Sequence, residues 1–275
     1  MTPDPYPAEV PHVPGGRPGA APGGGPGDGV DAVLLDVGGV FFLPDHAGVI
    51  QALARAGVQA HADGLDRAHY VALAESERRA GGDGAEVLGR YRRAYLRAAG
   101  VPPERAQDAE RELFDTGAGY MRAPWTRLRE QAAAELRELA RTGVRLAVVS
   151  NADGSVEGQL RAFGVCQVGD GQGVPVATVV DSTVVGVAKP DPRIFRIALD
   201  AVAVEPARTI HLGDSLLADV AGARGAGIHP VHYDPLGLCP ADGHRDVASI
   251  AQLAGMIHPG GSPRQLPPGP PHRVL

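Results

Sequence analysis

The sequence predicts a doubly wound α/β protein: a Rossmann-like parallel sheet with helices on both faces and an all-helical cap inserted near its start. Three observations carry this expectation. The apolar run Ala32-Val33-Leu34-Leu35 ends in Asp36 and is followed by Val37-Gly38-Gly39-Val40, which reads as a buried strand stopping at a tight loop. Residues 43–122 are rich in Ala, Arg, Leu and Glu at helical spacing. From about residue 124 onward, apolar runs alternate with amphipathic ones, the pattern of successive strands and helices in a parallel sheet.

Taken in order, residues 1–29 hold eight prolines and eight glycines, and residues 258–275 hold six prolines and three glycines. Such segments bury too little apolar surface to offset their ordering entropy, so both are expected to be disordered tails. The first strand belongs to a core expected over 30–42 and 123–257, with the cap over 43–122. Within the cap, helices are predicted at 47–56, 65–80, 86–99 and 103–114. Pro102-Pro103-Glu104 opens the last of these, since proline is tolerated in a first turn. In the core, the pattern predicts a long helix over 126–141, a strand over 144–149 and a helix over 155–163. Next come a helix over 192–202, a strand over 209–212, a helix over 216–226 and a strand over 228–233. An insertion placed directly after the first strand sits above the strand ends, where open α/β sheets bind ligands.

Composition narrows the function. With 275 residues and 44% hydrophobic content, the chain can bury a sizeable core, but aromatics are only 4%, so Ala, Val and Leu must build it. A net charge of −6 argues against a nucleic-acid partner, which calls for a basic face. The two cysteines, Cys166 and Cys239, are far apart and read as thiols in a reducing cytosol rather than a disulfide framework. No apolar stretch approaches the ~20 residues that span a bilayer. The N-terminus lacks a signal-peptide pattern. A soluble, cytoplasmic protein with no membrane partner is the expectation.

Four polar groups recur at the ends of apolar runs: Asp36, then Ser150-Asn151, then Lys189-Pro190, then Gly213-Asp214-Ser215 with Asp219. A nucleophilic carboxylate, a hydroxyl, a lysine and a second carboxylate suit phosphoryl transfer. Each alone has a plainer reading. Asp36 could be a turn residue, Ser150-Asn151 a helix cap, Lys189 a solvated charge, Asp214 a cap, and Asp219 a surface acid.

Taken in order and with this spacing, these residues resemble the haloacid dehalogenase-like hydrolase superfamily, in the branch with a helical cap between the first and second motifs. The likeness spans roughly residues 31–235. It implies a Mg²⁺-dependent phosphatase acting on a small phosphorylated metabolite through an aspartyl-phosphate intermediate. Asp36 would be the nucleophile, with Asp36, Asp214 and the backbone carbonyl of Gly38 holding the metal. Ser150 and the backbone after it, with Asn151, would cradle phosphate; Lys189 would supply fixed positive charge. Asp219 would orient Lys189, Ser150 or metal-bound water.

One position departs from the family pattern. Phosphatases of this kind usually carry a second Asp two residues after the nucleophile, which protonates the leaving oxygen. Here it is Gly38. Asp45 and His46 stand near enough in sequence to replace it. A metal-independent dehalogenase, which expels a halide needing no proton, and a weakened phospholigand- or protein-binding module are the alternatives. The cap arginines Arg78, Arg79, Arg90, Arg92, Arg93 and Arg97 read as a solvated helix face, and Leu88, Tyr91, Tyr95 and Leu96 as packing. His211 reads as a packing residue. His229 and His232 alternate along a strand with no cysteine or carboxylate at zinc-like spacing, so no zinc site is expected.

Overall fold

The structure is a computed structural model, and it describes residues 29–78, 84–114, 121–239 and 243–257. The expectations for the tails lie outside the described residues, residue 29 excepted. Strand β1 (Ala32–Leu35) is fully buried, and its side chains alternate between two cores. Val33 and Leu35 enter one; Ala32 and Leu34 enter the other. Burial on both faces is why the run is apolar without alternation.

The chain then makes a short strand β2 (Phe42–Leu43) and enters helices α1 (His46–Arg55), α2 (Leu65–Glu77), α3 (Gly84–Ala98) and α4 (Ala106–Leu113). Asp45 caps α1, its carboxylate accepting from the Gly48 amide at 2.8 Å. These helices share a core of their own around Leu53, Leu65, Tyr95, Leu113 and Phe114. The segment returns through β3 (Arg127–Leu128), which pairs antiparallel with β2. The helix expected over 126–141 is therefore shorter: α5 spans Ala132–Ala140 only. The preceding residues are recruited into β3 and into Arg129, whose guanidinium reaches the Val40 carbonyl, Glu135 and the Tyr233 ring.

Beyond α5 come β4 (Arg145–Ser150), α6 (Val156–Ala162), the parallel pair β5 (Cys166–Val168) and β6 (Val174–Val176), then β7 (Val179–Asp181) and α7 (Ser182–Val185). They are followed by α8 (Pro192–Val202), β8 (Thr209–Gly213), a π-helical turn at Leu216–Ala221, α9 (Gly222–Gly225), β9 (His229–Tyr233), β10 (Arg245–Val247) and α10 (Ile250–Met256). The helix expected over 216–226 is thus a widened turn leading into α9. The Ser215 carbonyl accepts from both Asp219 and Val220. The pattern also missed β5, β6, β7, β10 and α10, which are seven residues long or shorter and too brief to show a period.

Six strands form one parallel sheet in the order β10-β9-β8-β1-β4-β7. Helices α5, α6 and α10 cover one face, and α8 and α9 cover the other. The strand order reverses around β1, with β4 on one side and β8 on the other, so ligand-binding groups are expected at the C-terminal ends of these three strands. Leu34, fully buried against Ile194, Phe195 and Ala198, tests the packing of this centre. Leu34→Ala is expected to lower unfolding free energy by about 2–5 kcal/mol in urea titration; a loss under about 1 kcal/mol would contradict it.

Candidate active site

The three central strands deliver the polar groups to one place. Asp36 directly follows β1, and its amide donates to the Leu212 carbonyl of β8 at 2.9 Å. That bond sets β1 and β8 level, so Asp214, one residue past β8, arrives beside it. Ser150 ends β4 on the other side and is buried. Lys189 enters from the loop before α8, with its side chain almost fully enclosed.

The Lys189 ammonium lies 2.7 Å from Asp36 Oδ1 and 2.6 Å from Asp219 Oδ1. Asp219 also accepts from His211 Nε2 at 2.8 Å and from the Ser215 amide at 3.0 Å. Asp219 thus already has three protein donors. One carboxylate oxygen from each of Asp36, Asp214 and Asp219 lies within 4.8 Å of the others. Three buried carboxylates thus crowd together, two of them on a single ammonium.

The charges divide unevenly. Burial raises Asp36, and Asp219 and Asp214 reinforce that against the opposing pull of Lys189, so that its pKa reaches about 7. Burial also opposes the charged form of Asp219, but Lys189 and the His211 hydrogen bond hold it well below the usual carboxylate range. Burial works against the Lys189 charge too, yet Asp219 and Asp36 together raise it above its ordinary value. Burial lowers the pKa of His211, with the Asp219 hydrogen bond opposing.

Asn151 holds this lysine by its main chain. Its Nδ2 donates to the Lys189 carbonyl at 3.0 Å, and its Oδ1 accepts from the Lys189 amide at 2.8 Å. Both ends of its amide are therefore turned toward the lysine loop. Gly38 and Gly39 form the turn after Asp36. Gly39 has φ of +69°, and a Cβ there would fall 1.7 Å from Asp214 Oδ2, so a glycine is required by conformation and by space. A Cβ on Gly38 would meet the Trp125 ring at 3.5 Å, an ordinary contact.

Sequence reasoning missed the contribution of α2. His69 Nε2 is 2.9 Å from Asp214 Oδ2, and its Nδ1 is 2.9 Å from the Tyr91 hydroxyl. Its ring stands edge-on to Trp125 at 5.1 Å. Tyr70 donates to the Gly39 carbonyl at 2.7 Å. Glu77 accepts from the Ser215 hydroxyl at 2.6 Å and from the Leu216 and Leu217 amides. The available hint was polarity on a buried helix face, since His69 and Ser76 sit among Leu65, Ala68 and Ala72.

The stand-ins expected for the missing acid are engaged elsewhere. Asp45 caps α1, and His46 lies 2.7 Å from Asp66 and accepts from Arg127 Nε at 3.0 Å. Tyr95 and Leu96 pack as expected, whereas Tyr91 also faces His69. Of the cap arginines, Arg79 lies outside the described residues. Arg90 donates to the Ser76 carbonyl, and Arg97 pairs with Glu75. A recess of about 600 Å³ lined by Val144, Arg145, Val176 and Val202 lies at the sheet's opposite end and takes no part in this site.

The family description "haloacid dehalogenase-like hydrolase" matches residues 30–227, and the chain belongs to that family. It is 38% identical over 136 residues to mouse haloacid dehalogenase-like hydrolase domain-containing protein 3, covering 49% of this chain and 50% of that protein. It is 36% identical over 150 residues to a phosphoserine phosphatase of Thermus thermophilus, covering 54% and 55%. The chain thus spans about half the length of the curated relatives it matches. A crystal structure of a dehalogenase with an intermediate complex superposes with a TM-score of 0.50 at 19% identity, covering 84% of this chain and 98% of that one, a likeness of fold alone.

The shared ammonium makes a stability prediction. Lys189→Met leaves buried carboxylates uncompensated and is expected to cost about 3–5 kcal/mol at neutral pH. Adding Asp219→Asn removes one of those charges, so the double variant should be destabilised by clearly less than the sum of the two singles, read by urea unfolding. Additivity within about 0.5 kcal/mol would show that the two groups do not act as a pair.

Proposed function

We propose that this member of the haloacid dehalogenase-like hydrolase family is a Mg²⁺-dependent phosphatase that hydrolyses a small phosphomonoester through an aspartyl phosphate on Asp36. The observation that carries the reading is the meeting of Asp36, Lys189, Asp214 and Asp219 at the ends of adjacent strands, with more buried negative charge than one lysine balances. An excess of hard oxygen donors suits a small divalent cation. Asp36, Asp214 and the Gly38 carbonyl are the groups we assign to hold Mg²⁺, since Asp219 already accepts from Lys189, His211 and the Ser215 amide. When bound, Mg²⁺ supplies the positive charge that lets an anionic nucleophile approach an anionic phosphate.

The residues then divide the work. Asp36 attacks phosphorus; an O–P bond forms to its carboxylate as the ester P–O bond breaks. Lys189 balances charge on the nucleophile and on the transferring oxygens. Ser150 donates to a phosphate oxygen, together with backbone amides after it, while Asn151 fixes the loop that carries Lys189. Asp219 keeps Lys189 aimed, and His211 keeps Asp219 in place. The departing oxygen takes a proton, and water then cleaves the acyl phosphate, releasing phosphate and restoring Asp36. Gly38 has no proton to give. His69, delivered by α2 to within 2.9 Å of Asp214, is the group we assign as proton donor and later base.

Access follows from burial. Asp36 and Asp214 are each 7% exposed and Lys189 is 1% exposed, so α2 must swing away for substrate to enter and close again for chemistry. The relative from Thermus thermophilus, a phosphoserine phosphatase by name, supports a small phosphorylated metabolite as the substrate class. Cys166 and Cys239 are not joined in a disulfide, which suits a reducing cytosol.

A screen of phosphorylated metabolites with Mg²⁺ is the direct test. Asp36→Asn should reduce turnover by about 10⁴-fold or more. Turnover that survives this change, or that a chelator leaves intact, rules out the mechanism; halide release from a haloacid that a chelator leaves intact, with no phosphate ester turned over, favours carbon–halogen hydrolysis. His69→Ala should cost about 10²–10⁴-fold in kcat on alkyl phosphates. The cost should be much smaller on p-nitrophenyl phosphate, whose leaving group needs no proton. Equal losses on both would assign His69 to metal placement rather than proton transfer.

A further inference from the structure

On the far side of Asp214, four side chains outside the proposed chemistry converge. His232 lies on β9, and β10 pairs with it so that Asp246 stands directly opposite. His232 Nδ1 is 2.9 Å from Asp246 Oδ1. His244, two residues before Asp246, places its Nε2 at 3.1 Å from the same oxygen and at 3.2 Å from Cys239 Sγ. One donor atom from each of the four lies within 4.8 Å of all the others. The loop that brings Cys239 back is shaped by Asp234, whose Oδ2 accepts the Cys239 amide at 2.7 Å.

We propose that His232, Cys239, His244 and Asp246 form a zinc site that uses all four protein ligands. Tetrahedral zinc takes thiolate at about 2.3 Å and imidazole or carboxylate at about 2.0–2.2 Å, which places neighbouring ligand atoms roughly 3.3–3.6 Å apart. The contacts here already lie close to that spacing. The donor set decides the metal: one sulfur and two nitrogens suit zinc and disfavour magnesium, which takes oxygen ligands. Four protein ligands leave no open position, so the role is structural. His232 is prepared for it: its Nε2 donates to the main-chain carbonyl of Asp214 at 3.0 Å, leaving Nδ1 for the metal. A ligating histidine whose second nitrogen is anchored to a carbonyl has fixed tautomer and orientation. Cys239, His232 and the His244 ring are buried, while Asp246 is 31% exposed and opens the site to solvent. Binding requires the Cys239 thiol and the ring nitrogens facing the metal to give up the protons they carry.

The expectation of no zinc site rested on compact spacing, which this group does not have. The ligands are spread as one histidine, a cysteine seven residues on, a second histidine five further and an aspartate two beyond. That spacing matches no compact motif, and only the β9–β10 register folds it together. The consequence is mechanical. A metal that holds His232 also holds the carbonyl of Asp214, so the zinc site would stiffen the loop that carries the candidate magnesium ligand.

The test uses the full chain incubated with Zn²⁺, desalted and assayed by inductively coupled plasma mass spectrometry. About one zinc per chain is expected. It should persist in Asp36→Asn, which alters the other cluster, and in His229→Ala, a histidine of the same strand outside the set. Cys239→Ser should lower the zinc content to background. Replacement by Co²⁺ in the unmutated chain gives an independent reading, since a thiolate ligand produces charge-transfer absorption in the near ultraviolet. A cobalt spectrum without that band, or zinc retained in full by Cys239→Ser, would overturn the assignment.

Discussion

The buried ammonium of Lys189, shared between Asp36 and Asp219, is the interaction around which the rest is arranged. Neither carboxylate could stand alone at that depth, because the desolvation of an unpaired charge costs several kcal/mol. The chain therefore devotes other residues to keeping the lysine in register. Asn151 grips its main chain, His211 and the Ser215 amide hold Asp219, and the parallel pairing of β1 with β8 sets Asp36 level with the second acidic loop. The sheet is thus less a scaffold with a site placed on it than a device for bringing opposite charges to adjacent strand ends.

The inserted helices complete this arrangement. Helix α2 alone carries His69, Tyr70 and Glu77, which bond respectively to Asp214, to the Gly39 carbonyl and to the start of the turn after Ser215. All three contacts fall on loops that follow β1 and β8. A single helix therefore closes the strand ends and contributes a polar group to them, which couples enclosure to chemistry in one element.

Much of this was legible in the chain, and what was not has physical causes. The apolar runs leading to Asp36 and Ser150 announced strand ends, because strands buried on both faces are largely apolar; β8 carries His211 inside it and was marked instead by Gly213-Asp214 at its end. Lys189 could be placed only by its company, since nothing local distinguishes it from a surface lysine. The helix over 192–202 was read to the residue, being marked by Pro192 and a strong apolar stripe. Short strands such as Arg127–Leu128 and Arg245–Val247 carry too few residues for a period to show. His69 and the His232–Cys239–His244–Asp246 group escaped because their partners are distant in sequence, and only tertiary register makes them neighbours.

The contact between Gly38 and Trp125 has a consequence for anyone redesigning this protein. Restoring an acid at position 38 is not an isolated edit, because the indole that a new side chain would meet also borders His69. A carboxylate grafted there would share its room with that ring and approach the histidine from the same side. The three positions are neighbours: a first side-chain carbon at 38 fits against the indole as it stands, and whatever extends beyond it is shaped by the indole that also touches the ring at 69.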